Sequence, residues 1–260
     1  MSVELNYAID GLDTAPVLLM GGSLGTTLSM WDPQLQGLSA AARLIRFDQR
    51  GHGASPAPSG PYTIDDLGGD VLALMDRLGL ERVAYCGLSI GGMIGQWLAI
   101  NAPGRIDRLI LLCTSPYLPA EQEWRDRAAT VREAGGPEVV ADAVLGRWFT
   151  PEFAERNPEV VARHRQMIAS IPAEGYAGCC EAIATMDLRP GLDRVTAQTL
   201  VICGAEDPTV PPATGRELAV AIPGAGFVVL DPGAHLLSAE RATEVSALIA
   251  GHLHAPPGGA

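Results

Sequence analysis

Aromatic residues make up only 5% of this chain, and no apolar run approaches the ~20 residues of a membrane-spanning helix. Met1-Ser2-Val3-Glu4 has neither the basic start nor the apolar core of a secretory leader. Positive charge is also scarce: 18 Lys and Arg face 30 Asp and Glu, a formal net charge of −12. Such a surface repels phosphate backbones and anionic lipid, so neither nucleic acid nor membrane is an expected partner. It repels small anions as well, so an acidic substrate would need a cation inside the pocket. The five cysteines, Cys86, Cys113, Cys179, Cys180 and Cys203, contain no CxxC pair, and the adjacent Cys179-Cys180 lacks metal-site spacing. An odd set lying mostly in apolar runs predicts buried thiols in a reducing compartment, with no metal site. A soluble cytoplasmic protein is expected. No internal repeat or low-complexity segment occurs.

What is present is aliphatic. A chain of 260 residues, 47% of them hydrophobic, can bury one sizeable core. Short aliphatic runs at 16–20, 43–47, 82–86, 106–113, 199–203 and 227–230 read as strands, with a weaker opening strand at 3–9 turned by Asp10-Gly11. Between them lie helix-period segments. Ile64, Leu67, Val71, Leu74 and Leu78 follow a cap signal at Thr63 and end at Gly79. Ile90, Met93, Ile94, Trp97 and Leu98 repeat the period, and a last helix is expected over 239–253, followed by a frayed tail. This alternation predicts an α/β fold, a mostly parallel sheet flanked by helices. Residues 115–187 break the rhythm with helix-like pieces and no strand signal. They predict a helical cap inserted into a core formed by 1–114 and 188–260.

Gly87-Leu88-Ser89-Ile90-Gly91 fits the G-x-S-x-G nucleophile elbow, and it lies between a strand and a helix as that motif requires. Serine there needs a positive φ, and side chains at the flanking positions would collide with neighbouring chain. A serine hydroxyl is a weak nucleophile at neutral pH, so it needs a base, and the base needs an orienting acceptor. Among the five histidines, His235 alone follows a late strand directly, at the edge where open α/β sheets place their sites. His52 lies in an early turn, His164 in the cap, and His252 and His254 near the end. Asp207 follows the strand at 199–203, with Glu206 and Asp231 as rivals. The order Ser, Asp, His is that of α/β-hydrolases. Oxyanion donors are expected from the Ile90 amide and from the loop Gly21-Gly22-Ser23-Leu24-Gly25, with Leu24 the first candidate and Ser23 the second.

With these residues placed, the chain resembles the α/β-hydrolase superfamily over its full length, and more narrowly the 3-oxoadipate enol-lactonases of aromatic breakdown. Ser23-Leu24-Gly25-Thr26 leading to Met30-Trp31-Asp32, Cys86 to Met93, and Gly233-Ala234-His235-Leu236-Leu237-Ser238 carry the likeness. So do Ala184-Thr185-Met186-Asp187-Leu188 and the cap segment Ala143-Val144-Leu145-Gly146-Arg147-Trp148-Phe149-Thr150. Gly22 departs from it, since an Asn or similar polar residue is expected there. The resemblance implies hydrolysis of an anionic enol-lactone through an acyl-enzyme, without metal or organic cofactor. It makes Arg147 the candidate for the substrate carboxylate, with Trp148 and Trp31 as aromatic walls. The same triad also serves other small-ester hydrolases, cofactor-free perhydrolases and carbon–carbon hydrolases. A binding protein that keeps the fold without catalysis is the remaining class.

Overall fold

The computed structural model describes residues 2–256; Met1 and residues 257–260, most of the expected tail, lie outside them. Seven strands form one sheet: β1 (Tyr7–Gly11), β2 (Val17–Gly21), β3 (Arg43–Phe47), β4 (Val83–Leu88), β5 (Ile106–Leu112), β6 (Gln198–Gly204) and β7 (Gly226–Leu230). Their spatial order is β1-β3-β2-β4-β5-β6-β7, with β1 antiparallel to β3 and every other pair parallel. Alternate strand residues feed two cores. Leu19, Ile45, Tyr85, Leu109 and Val201 join the one that includes helices α2 (Ile64–Arg77), α3 (Ile90–Asn101) and α9 (Pro212–Ala221). Leu18, Leu44, Cys86, Ile110 and Ile202 join the other, with α1 (Asp32–Leu38) and α11 (Ala242–His254). A sheet buried on both faces explains why its strands read as unbroken aliphatic runs.

Thr63 starts α2 through a reciprocal capping box with Asp66, as the cap signal predicts. Between β5 and β6, among the described residues, come five α-helices, a short 3₁₀ turn at Arg189–Arg194 and no strand: α4 (Glu121–Ala134), α5 (Glu138–Trp148), α6 (Pro151–Arg156), α7 (Pro158–Ala169) and α8 (Ala173–Thr185). Leu188 N–H donates to Pro116 O at 2.9 Å, drawing the two ends of this helical stretch together. Among the described residues, no helix is long and apolar enough to cross a membrane.

Three expectations need correction. The opening strand is Tyr7–Gly11 rather than 3–9, so Asp10-Gly11 lies in the strand and not in a turn. Val3 N–H goes instead to Asp70 Oδ1 at 2.7 Å, and Asn6 is held by Ser55 and Asp48. The last helix is interrupted: α10 (Leu237–Glu240) stops at Arg241, whose φ of −126° and ψ of 43° leave the helical region, before α11 begins. The described start of the tail is pinned, because Arg108 donates to Ala255 O at 2.6 Å and Gln198 to Pro256 O at 3.1 Å.

Candidate active site

The carboxyl ends of β2, β4 and β6 and the loop after β7 meet at one edge of the sheet. Ser89 lies in the turn from β4 into α3, with φ 58° and ψ −119°. Two glycines make that turn possible. A Cβ on Gly87 would come within 2.2 Å of Gly91 O, and one on Gly91 within 2.3 Å of Gly21 O. Three bonds fix the strained residue. Ser89 N–H donates to Leu112 O at 2.9 Å, Thr114 Oγ1 donates to Ser89 O at 2.7 Å, and Gly91 N–H donates to Gly22 O at 3.0 Å.

His235 is buried, and its Nδ1 lies 2.7 Å from Asp207 Oδ2. A carboxylate only accepts, so Nδ1 carries the proton and Nε2 is left as a free acceptor. Asp207 is itself buried and fully engaged, with Oδ1 accepting Thr209 N–H at 2.8 Å and Val210 N–H at 3.0 Å. Its rivals Glu206 and Asp231 are exposed. Of the other histidines, His164 is buried against Trp148 and Phe149, with its basicity lowered by that burial. His252 bonds to Gln198 O.

Ser89 and His235 line one cavity. Among the described residues no hydrogen bond joins their side chains; in unliganded enzymes such bonds are often long and tighten when substrate arrives. Ser23 and Leu24 line the same cavity. The Leu24 and Ile90 amides donate to no group among the described residues, whereas Ser23 N–H already points at Met30 Sδ, 3.2 Å away. The geometry therefore favours Leu24 over Ser23 as the partner of Ile90. Gly22 leaves the room this arrangement needs, since a Cβ there would sit 2.7 Å from Thr26 Oγ1 and 3.0 Å from Met30 Sδ.

The outer walls come from helices α4, α5 and α8. Arg147 and Trp148 line the cavity, as the sequence suggests. Trp31 is wholly buried in the second core and does not line the cavity, so it is not the substrate wall that the resemblance implies. Sequence reasoning missed Trp124, Arg127 and Tyr176, which also line the cavity. The Arg127 guanidinium stacks 4.7 Å from the Trp124 ring centroid. Their spacing of three on α4 was the available signal, hidden in a stretch that reads as a solvated charged face. Neither Arg127 nor Arg147 has a carboxylate partner among the described residues.

Cys113, Asp207 and His235 bring ligand-type atoms within 4.8 Å of one another. Both Asp207 oxygens are already bonded, and burial raises the Cys113 thiol well above its ordinary range, so a thiolate is disfavoured there. The set fits a histidine–aspartate pair beside a neutral thiol better than a metal centre.

The histidine loop is latched to the helical stretch. Leu236 N–H donates to Trp148 O at 2.9 Å. Glu240 accepts Ala234 N–H at 2.8 Å on one oxygen, and Thr150 N–H and Oγ1–H at 3.1 and 2.5 Å on the other. Glu240→Ala strands these buried donors at a cost of about 1–3 kcal/mol. Calorimetry should show a Tm lower by about 2–4 °C per kcal/mol; an unchanged Tm would show that the latch carries no stability.

A family model for the alpha/beta hydrolase fold matches residues 15–242. The chain is 44% identical over 239 residues to 3-oxoadipate enol-lactonase 2 of Acinetobacter baylyi, covering 92% of this chain and 89% of that one. Its structure is similar to that of the enol-lactonase from Burkholderia xenovorans LB400, with TM-score 0.94, 45% identity and 97% of each chain covered. It is also similar to a thermophilic esterase from Thermogutta terrifontis solved with malate bound, with TM-score 0.90, 31% identity, and 96% and 93% coverage. The chain belongs to the α/β-hydrolase family and is an enzyme of the esterase and lactonase kind.

Proposed function

We propose that this enzyme hydrolyses 3-oxoadipate enol-lactone to 3-oxoadipate through an acyl-enzyme on Ser89. The observation that carries the reading is the buried Nδ1–Asp207 bond. It leaves Nε2 as the acceptor of a histidine that lines the same cavity as Ser89. The likeness to two enol-lactonases supplies the substrate class.

Ser89 Oγ attacks the ring carbonyl while His235 Nε2 takes its proton, and Asp207 stabilises the imidazolium that forms. The carbonyl oxygen becomes an oxyanion received by the Leu24 and Ile90 amides, at the amino terminus of α3. The ring C–O bond then breaks, and the enolate oxygen recovers the proton from His235. An enolate is a better leaving group than an alkoxide, and because the substrate is cyclic it stays tethered to the acyl chain. Water deprotonated by His235 attacks the Ser89 ester, releasing the product and restoring the serine. The enol relaxes to the ketone. Each step needs only protein groups and water.

Residues 115–187 serve as the cap that holds the substrate carboxylate. The chain contains no lysine, so any side-chain cation offered by the cavity at neutral pH is a guanidinium or a protonated histidine. Arg147 is the expected anchor, and Arg127 stands beside it in the same cavity. A planar fork suits a carboxylate, and aromatic walls from Trp124 and Trp148 reduce competition from water. That local positive charge answers the repulsion from a protein of net charge −12.

Loss of enol-lactone absorbance with purified protein tests the substrate directly; p-nitrophenyl acetate serves as the neutral comparison. Arg147→Ala should raise KM for the lactone at least about tenfold, the loss of one charged hydrogen-bonded contact, while the acetate kinetics stay nearly unchanged. Equal losses on both substrates would remove Arg147 from carboxylate binding. Asp207→Asn should lower kcat on both by about 10⁴-fold. With Oδ1 held by two backbone N–H groups, the new amide NH₂ must face His235 Nδ1 and force the proton onto Nε2. A loss below about tenfold on a folded variant would contradict that tautomer argument.

A further inference from the structure

One buried histidine has no part in the reaction as written. His52 is 0% exposed and sits in the turn that follows β3. Its Nε2 lies 3.0 Å from the Gly25 amide nitrogen, and its Nδ1 lies 3.2 Å from Arg50 O. An amide N–H only donates and a carbonyl only accepts. Nε2 must therefore be bare, and Nδ1 must carry the proton. Burial supports the neutral ring, lowering its pKa to about 4 despite the Asp48 carboxylate nearby.

The bond from Gly25 reaches the centre of the oxyanion loop. Thr26 N–H donates to Ser23 O at 3.2 Å, closing a four-residue turn of Ser23, Leu24, Gly25 and Thr26. Gly25 has a φ of 84°, the conformation a type II turn demands at its third position. The peptide linking Leu24 to Gly25 is the unit whose rotation separates type II from type I. His52 Nε2 grips the N–H of that peptide, one residue from the Leu24 amide. The rest of the turn is held from other sides, by Gly91 N–H on Gly22 O and by Met30 Sδ on Ser23 N–H.

His52 also stands on a rigid base. Asp48 accepts Leu28 N–H at 2.7 Å and Ala54 N–H at 3.0 Å, so its carboxylate ties the two ends of the segment to the loop after β2. Arg50, which carries the carbonyl that orients the ring, pairs through Nε with buried Asp70 at 2.7 Å.

We propose that His52 is a positioning residue whose bare Nε2 locks the Leu24–Gly25 peptide and so aims the Leu24 amide at the developing oxyanion. This deepens the serine-hydrolase reading of the site and rests on it. The consequence falls on the transition state, because a ground-state carbonyl gains little from the amide while the tetrahedral oxyanion gains much.

The test uses p-nitrophenyl acetate, so that its outcome does not depend on the lactone assignment. Competent sites are counted by exhaustive labelling with a fluorophosphonate. His52→Leu should lower kcat per labelled site by about 10–100-fold, short of or equal to the loss of one whole donor, with KM changed less than about twofold. His52→Gln, whose amide oxygen can accept the Gly25 N–H, should recover most of that loss. In the wild type, ¹⁵N imidazole spectra at neutral pH should place the His52 proton on Nδ1, a readout that stands even if the leucine variant fails to fold. A folded leucine variant with kcat per site within about twofold of wild type, a glutamine variant as slow as the leucine one, or a proton on Nε2 would each overturn the proposal. Failure to open the enol-lactone while the acetate is still cleaved would count against the substrate reading and leave this one standing.

Discussion

The site depends on the close approach of three backbone segments at Ser89. Holding a non-glycine residue at φ 58° costs about 1–3 kcal/mol, and the structure offsets it with bonds from the end of β5, from Thr114 and from the loop after β2. Those bonds form only because Gly87 and Gly91 bring no side chain into the gap. The same approach sets the loop after β2, the candidate oxyanion loop, beside the amino terminus of α3. The strain that presents the hydroxyl and the placement of the two free amides are therefore one arrangement. A side chain at either glycine would disturb both.

Charge is distributed with a matching economy. Acidic side chains dominate the chain, yet two guanidinium groups stand in the cavity without carboxylate partners. Arg50 by contrast pairs with buried Asp70, and Arg132 with Glu174 and Glu181 where α4 meets α8. Arg132 so fixes the helix that carries Arg127. Glu240 then ties the end of α5 to the histidine loop, so the candidate carboxylate anchors and the candidate base share one frame. Unpaired cations in an acidic protein are the feature a small anionic substrate would exploit.

Much of this was legible in the sequence because the signals were local. Six strands fell within one or two residues of their aliphatic runs, and the elbow announced itself through glycine spacing. Asp207 and His235 were found by their place just after late strands, a topological rule rather than a contact. What sequence could not give required the third dimension. Trp31 and Trp148 read alike as aromatics near motif residues and both pack in the second core, yet only Trp148 also lines the cavity, since the short helical turn at Leu28–Trp31 buries the first completely. Arg127 looked like solvent-facing charge until α4 folded over the sheet edge. His52 looked like an idle turn residue, because nothing in the order of the chain shows that its imidazole meets Gly25 27 positions upstream. The edge strand β1 begins later than its sequence suggests because its exposed–half-buried alternation is weak, and its partner on β3 decides its register.

The central claim is that Ser89 Oγ itself attacks the lactone carbonyl. Rapid acid quench of the enzyme turning over enol-lactone, followed by peptide mass spectrometry, tests it most directly. The peptide containing Ser89 should gain the mass of the whole lactone, because the opened leaving group stays attached to the acyl chain, and Ser89→Ala should show neither adduct nor turnover. Turnover without any adduct on that peptide, and persisting in Ser89→Ala, would contradict the account.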